Sequence, residues 1–429
     1  MKIKKVIHLS AAVVVSLSTF LVLSSPLVHA ATVSCFWTDH GDNTFSDPND
    51  WSCSGGAAPS SGSGNVYNLT FPASAFGFSP VLDISGMTVG SMTFTGGGYD
   101  LTALDSSTNT ITLTGGITDS SGGPNNEIDL NINVSDSQSF STSVNSRLVL
   151  SDGTENVNVG SNNLTLGNVL INGPVVGTGT LTVSDSNYST DLTGVGLEVA
   201  SPSFSGNVQV SQGALFVDAP GALTSPSQVT VASGALLKGD GSIFNATIQS
   251  GGTIAPGHSP GCIAASSLTI NGTYLAQIGG TNPCTDYDQI NVSNSINITN
   301  GTLKLSLINT PSVGQSFEIV NNTGNNPVTG TFSGLAEGST FTAGGATFRI
   351  TYRGGNGNDV TLTVINAPAS SSRGGASTKS GGTTVVPTPK APNTGVISLV
   401  SSPDNDIVIS ALVVVTIMAI SRYLKPAKY

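Results

Sequence analysis

From Val66 to Ile365 apolar residues come in short alternating runs and never hold helical spacing over three turns: Met92-Thr-Phe94, Ile111-Thr-Leu113, Leu164-Thr-Leu166, Leu181-Thr-Val183, Leu197-Glu-Val199. Such alternation turns one face of an extended strand toward a core and the other toward water. Gly, Asn, Asp and Ser interrupt the runs at intervals of about ten residues, which predicts an all-β chain of short strands and tight turns.

A longer period lies over the strands. The pattern apolar-x-apolar-x-x-Gly-x-apolar recurs at Val208, Val210, Gly213, Leu215, then Val229, Val231, Gly234, Leu236, then Ile296, Ile298, Gly301, Leu303. Imperfect copies are Ala246-Thr-Ile248 with Gly251 and Leu268-Thr-Ile270 with Gly272. The starts are 21, 17, 22 and 28 residues apart, close to one coil of a parallel β-helix. Glycine suits the corner, where the chain turns with φ above zero. Strands stacked about 4.8 Å apart, in coils of roughly 21 residues, would make 66–365 a single-stranded β-helix on the order of 70 Å long. Asn and Thr would ladder between like positions of successive coils. The rival is a string of antiparallel sandwiches, against which stand the near absence of two-residue Asn-Gly or Asp-Gly hairpins and the position of Trp37 and Trp51 before the repeats.

Composition narrows the partners. Only 9% of the residues are charged, and the net charge is −11. Between Ala31 and Ile365 the cations are Arg147, Lys238, Lys304, Arg349 and Arg353, too few for a phosphate-binding surface, so nucleic acid is excluded as a partner.

Both ends of the chain carry export signals. Residues 1–30 have the three regions of a secretory signal: Lys2, Lys4 and Lys5, an apolar stretch Ala11–Leu23, and a small-residue site at Val28-His29-Ala30 that predicts cleavage between Ala30 and Ala31. Residues 31–65 read as an N-terminal cap. Residues 366–390, rich in Ala, Ser, Gly, Thr and Pro, read as a solvated spacer of up to roughly 80 Å when pulled straight. Within 391–429 an apolar run, Ile407–Ile420, is followed by Arg422, Lys425 and Lys428; it predicts a transmembrane helix over about 407–424 with a cytoplasmic tail. Ala391-Pro392-Asn393-Thr394-Gly395 resembles the Leu-Pro-x-Thr-Gly sorting motif of Gram-positive surface proteins, with Ala391 in place of Leu. That resemblance implies a sortase-type transpeptidase as processing partner, cleavage between Thr394 and Gly395, and attachment to the cell wall.

Four cysteines in an exported chain point to disulfides. Three connectivities are open; the short loops favour Cys35–Cys53 and Cys262–Cys284, each worth roughly 3 kcal/mol by loop closure. A metal site is the alternative, but no CxxC spacing occurs, and His40 and His258 are the imidazoles outside the signal.

The segment Gly239–Gly261, with Gly251-Gly-Thr-Ile-Ala-Pro-Gly-His-Ser-Pro-Gly261, resembles autotransporter-associated β-strand repeat proteins. Tyr287-Asp-Gln-Ile-Asn-Val292, Gly330–Gly338 and Tyr352–Val364 resemble the closing segment of those passengers in the same order, and Phe45–Trp51 resembles their opening cap. The match is close over 245–364 and looser over 66–244. It implies a right-handed parallel β-helix outside the cell, with no cofactor, although the transmembrane barrel of true autotransporters is replaced here by one apolar segment.

Chemistry has few footholds. Gly354-Gly-Asn-Gly-Asn-Asp359 matches the start of a calcium-binding nonapeptide, but Thr361 stands where a large apolar residue belongs and the copy is single, which favours a terminal turn. Asp39, Asp42, Asp47 and Asp50 lack the Asp-x-Asp-x-Asp-Gly order and read as a solvated cap. Asp286 and Asp288 are the best carboxylate pair for a carbohydrate-active β-helix enzyme; alternation puts both on one strand face, with no basic residue nearby in sequence. His258 sits in a Pro/Gly turn, and no Gly-x-Ser-x-Gly elbow occurs. The expected function is that of a non-enzymatic adhesin-like or display protein, anchored by its C-terminus on a bacterial surface and meeting an extracellular ligand on a host or neighbouring cell. A polysaccharide lyase or hydrolase is the alternative.

Overall fold

The structure is a computed structural model describing residues 30–368, apart from 61, 76–77, 106–109, 144–145, 152, 187–194 and 198–202. The chain divides into a unit Met1–Ser370 and a unit Ser371–Tyr429, and the described residues all belong to the first. The signal segment, the sorting motif 391–395, the apolar segment 407–424 and nearly all of the spacer lie outside the described residues.

Every regular element described is a strand, so the all-β expectation holds. The strands form one 21-stranded and one 11-stranded sheet, the second entirely parallel from Val81–Leu82 to Thr302–Leu307. Among the described residues no helix is long and apolar enough to cross a membrane.

Parallel register explains the repeat. In the larger sheet Leu69, Met92, Ile117, Phe140, Leu166, Val183, Val210, Val231, Ile248 and Ile270 are each the partner of the next, 17 to 27 residues apart in sequence. All ten are at most 1% exposed. A buried column ten strands deep forms because each strand places an apolar side chain on that of its neighbour, and a slip of one residue would turn the whole set outward. The outward positions carry the expected ladders: Asn158 donates through Nδ2 to Asn133 Oδ1 at 3.1 Å, and Asn321 to Asn291 at 3.0 Å.

Two details of the repeat change. Leu215 pairs with Leu237, not Leu236, and the column continues through Ile254, Tyr274 and Leu303. The connection from Val231 is one residue longer than that from Val210, which moves the buried position along. The corner glycine does two different jobs. Gly213, Gly234 and Gly251 have φ near +80°, whereas at Gly272 the reason is space, since a Cβ there would lie 2.3 Å from the Gly252 carbonyl oxygen.

The ends depart from the parallel stack. At the start, Thr32–Trp37 already pairs parallel with Val66–Phe71 and antiparallel with Trp51–Cys53, so part of the expected cap is itself a stacked strand. Trp37, Phe45, Trp51 and Phe71 pack there with ring centroids 5.1 to 6.5 Å apart. At the other end, stacking expected through 365 stops at Ser316–Asn322, which pairs antiparallel with Asp359–Asn366. That strand pairs in turn with Ala346–Gly354, itself in a hairpin with Thr340–Ala343. The hairpin closes through Gly344-Gly345, both with positive φ, the backbone a two-residue turn requires.

Candidate functional site

Strict alternation fails at one line across the larger sheet. In Ser242–Ile248 both Phe244 and Asn245 face out between buried Ile243 and Ala246, and in Cys262–Ile270 both Ser266 and Ser267 do so between Ala265 and Leu268. Two outward residues in succession bend a strand and divide its outer surface into two facets. The flanking strands carry extra residues at this line. Leu223 and Gln228, five apart, pair with Ile243 and Asn245, two apart; Val292 and Ser295, three apart, pair with Ala265 and Ser267, two apart. The longer segments stand on either side of the two shorter strands.

A cleft of about 340 Å³ lies at this line, lined by Thr224, Ser242, Phe244, Ser266, Asn291, Ser293 and Thr323 together with the aliphatic Ile243, Ala264, Ala265 and Val292. None of its lining side chains is ionisable. Phe244 is half-buried and belongs to neither the hydrophobic core nor the residues packed on it. The hydroxyls of Ser242, Ser266 and Ser293 have no hydrogen-bond partner among the described residues. One position along, the other facet is cross-linked: Asn294 Nδ2 and Ser295 Oγ both donate to Ser267 Oγ, at 2.9 and 3.1 Å.

A second cluster gathers charge on the smaller sheet. Phe216 and Lys238 are register partners, with Lys238 Nζ 5.6 Å from the ring centroid. His258 stacks on Phe216 with centroids 5.9 Å apart and planes at 11°, and its Nε2 lies 2.8 Å from Asp218 Oδ1. The hydrogen bond to Asp218 raises the His258 pKa against the opposing effect of burial. Asp240 accepts the Ala219 amide at 2.7 Å. Forty residues separate His258 from Asp218, a pairing visible only once the strands are in register.

The cysteines pair as the short loops favoured, Cys35 with Cys53 and Cys262 with Cys284. Asp42, Asp47 and Asp50 place carboxylate oxygens within 4.8 Å of one another, but they serve the loop. Buried Asp50 accepts the amides of Gly41 and Thr44, while Asp47 accepts the amide and side chain of Asn49. Asp39 stands apart from that trio, its pKa raised by burial and by Asp50. Asp359 is 3% exposed and accepts the amides of Asn322 and Asn356, so Gly354–Asp359 forms a turn between paired strands.

Asp286 and Asp288 do not share a strand face, because the strand begins only at Gln289. Asp286 caps a turn through Asn282, at 3.0 Å to its amide and 2.7 Å to Nδ2. Asp288 is buried, accepts the amides of Gly261 and Gln277 at 2.8 and 2.9 Å, and has its pKa pushed up to about 6 by burial. Ala31, just after the predicted junction, accepts the Val66 amide at 2.9 Å, and the first paired strand begins at Thr32.

No family model matches the chain, and no curated protein matches it either.

Proposed function

We propose that the protein is a surface-anchored, non-enzymatic, right-handed parallel β-helix that serves adhesion or display on a bacterial cell. The observation that carries this reading is the ten-deep buried column of successive parallel register partners. Such a stack is stabilised by contacts between neighbouring strands and leaves its outward positions free to vary, the division of labour expected of an extended presenting surface. The carboxylates that an enzyme reading would use are spent on separate structural bonds, Asp286 on Asn282 and Asp288 on the amides of Gly261 and Gln277.

Anchoring proceeds through Ala391–Gly395. A sortase-type cysteine thiolate attacks the Thr394 carbonyl, the Gly395 amine leaves with the C-terminal segment, and a cell-wall amine displaces the thiol to form a new amide at Thr394. The mass of the C-terminal peptide from wall-extracted protein tests this step. Thr394 joined to wall peptide is expected, and an intact chain through Tyr429 would confine anchoring to the apolar segment. Protease treatment of whole cells tests location: release of fragments from 31–365 is expected, and complete protection would end the surface reading.

A further inference from the structure

We infer that the cleft around Phe244 binds a neutral oligosaccharide segment. This deepens the adhesion reading and rests on it, by naming the chemistry of the ligand.

The cleft is built rather than incidental. Its floor is two adjacent strands, Thr224 borders it on one side and the longer segment from Val292 to Ser295 on the other, and its 340 Å³ falls at the small end of the roughly 300–1,000 Å³ of small-ligand sites. Phe244 contributes an aromatic face that the core does not use, a surface suited to the C–H face of a pyranose ring. Around it Ser242, Ser266 and Ser293 hold hydroxyls with no partner among the described residues, each able to donate once and accept twice. Asn291 accepts from Asn321 through Oδ1 and so presents its Nδ2 with a fixed orientation. Hydroxyl, amide and aromatic groups without charge match a sugar that is itself polyhydroxylated and uncharged.

Other ligands fit less well. A carboxylated or sulfated sugar would lose hydration against walls that offer no cation, on a chain of net charge −11. An extended peptide could not add as a strand, because Ser242–Ile248 and Cys262–Ile270 are each hydrogen-bonded to neighbours on both edges.

The test uses the full chain, immobilised, against hexamers of β-1,4-glucose, β-1,4-N-acetylglucosamine and α-1,6-mannose, with hyaluronate and polygalacturonate hexamers as acidic probes. At least one neutral hexamer is expected to bind with preference over both acidic ones. Phe244→Ala should weaken it about tenfold or more, and Ser266→Val, whose hydroxyl has no internal partner, should weaken it at least about threefold. Thr269→Ala on the other facet should leave binding unchanged. No neutral binding, preference for an acidic hexamer, or equal binding by Phe244→Ala and Ser266→Val would each overturn the assignment. Thermal melts of all three variants separate a lost site from a lost fold. Protease shaving of cells is scored independently, so a surface protein that ignores these sugars is told apart from a protein not at the surface.

Discussion

Val229, Thr230 and Val231 are consecutive in one strand, yet they belong to regions with different work. The two valines are fully buried and continue inward columns, while Thr230 continues an outward one through Thr165, Thr182, Gln209, Thr247, Thr269 and Asn297. The inward column is apolar and holds no charge; the outward column is hydroxyl and amide, and half-exposed along its length. Parallel stacking thus separates stability from surface chemistry within each strand, position by position. The cleft at Phe244 lies on the outward side, where the chain can change chemistry without giving up its core.

The sharpest way to break this contrast is to truncate one neighbour of each kind. Ile270→Ala should cost about 2–5 kcal/mol in urea unfolding, and Thr269→Ala no more than about 0.5 kcal/mol. Equal costs would mean that register, not burial, carries the fold. Replacing Cys262 and Cys284 together by Ser should cost about 2–4 kcal/mol, since it releases a loop of 22 residues, and would show in the same unfolding assay.

Asp288 puts one carboxyl on the wrong side of the contrast, buried among inward residues. Its pKa of about 6 in the folded protein, against an ordinary 3.8, means the folded state holds a proton that the unfolded chain has released. Its contribution is therefore full below about pH 4 and lost as pH rises through 6, about 3 kcal/mol in all. Unfolding free energies measured from pH 4 to 7 should fall over this window, and Asp288→Asn should flatten the slope.

Smaller effects belong to the outward side. Asn133→Ala removes the acceptor for Asn158 and should cost about 1 kcal/mol, readable as a small shift of the urea midpoint. Asp218→Asn should lower the His258 pKa in an NMR titration, because the hydrogen bond that raises it loses its anionic acceptor, while the melting temperature stays within error.

Much of the fold was legible because period-two alternation and corner glycines are local. Val208, Val229, Ala246, Leu268 and Ile296, aligned by pattern alone, are consecutive register partners. The Leu236–Leu237 slip was not legible, since connection length shifts the buried position without changing composition. The antiparallel end was signalled by Gly344-Gly345, a turn that a search for Asn-Gly and Asp-Gly passes over. The cleft left no local trace at all: the extra residue between Val292 and Ser295 becomes a wall only beside a neighbour that lacks it.

What the amino-acid sequence determined by itself is whatever depends on a few adjacent residues: strand rather than helix, which side chains face inward, where the chain turns, and how scarce charge is. Tertiary structure alone decided which strand lies beside which and in what register. That in turn set His258 on Asp218, gave Asp286 and Asp288 different backbone partners, and opened the surface around Phe244. The physical reason is that parallel strands join residues about twenty positions apart, so a site built across them depends on differences in length between segments that no single segment contains.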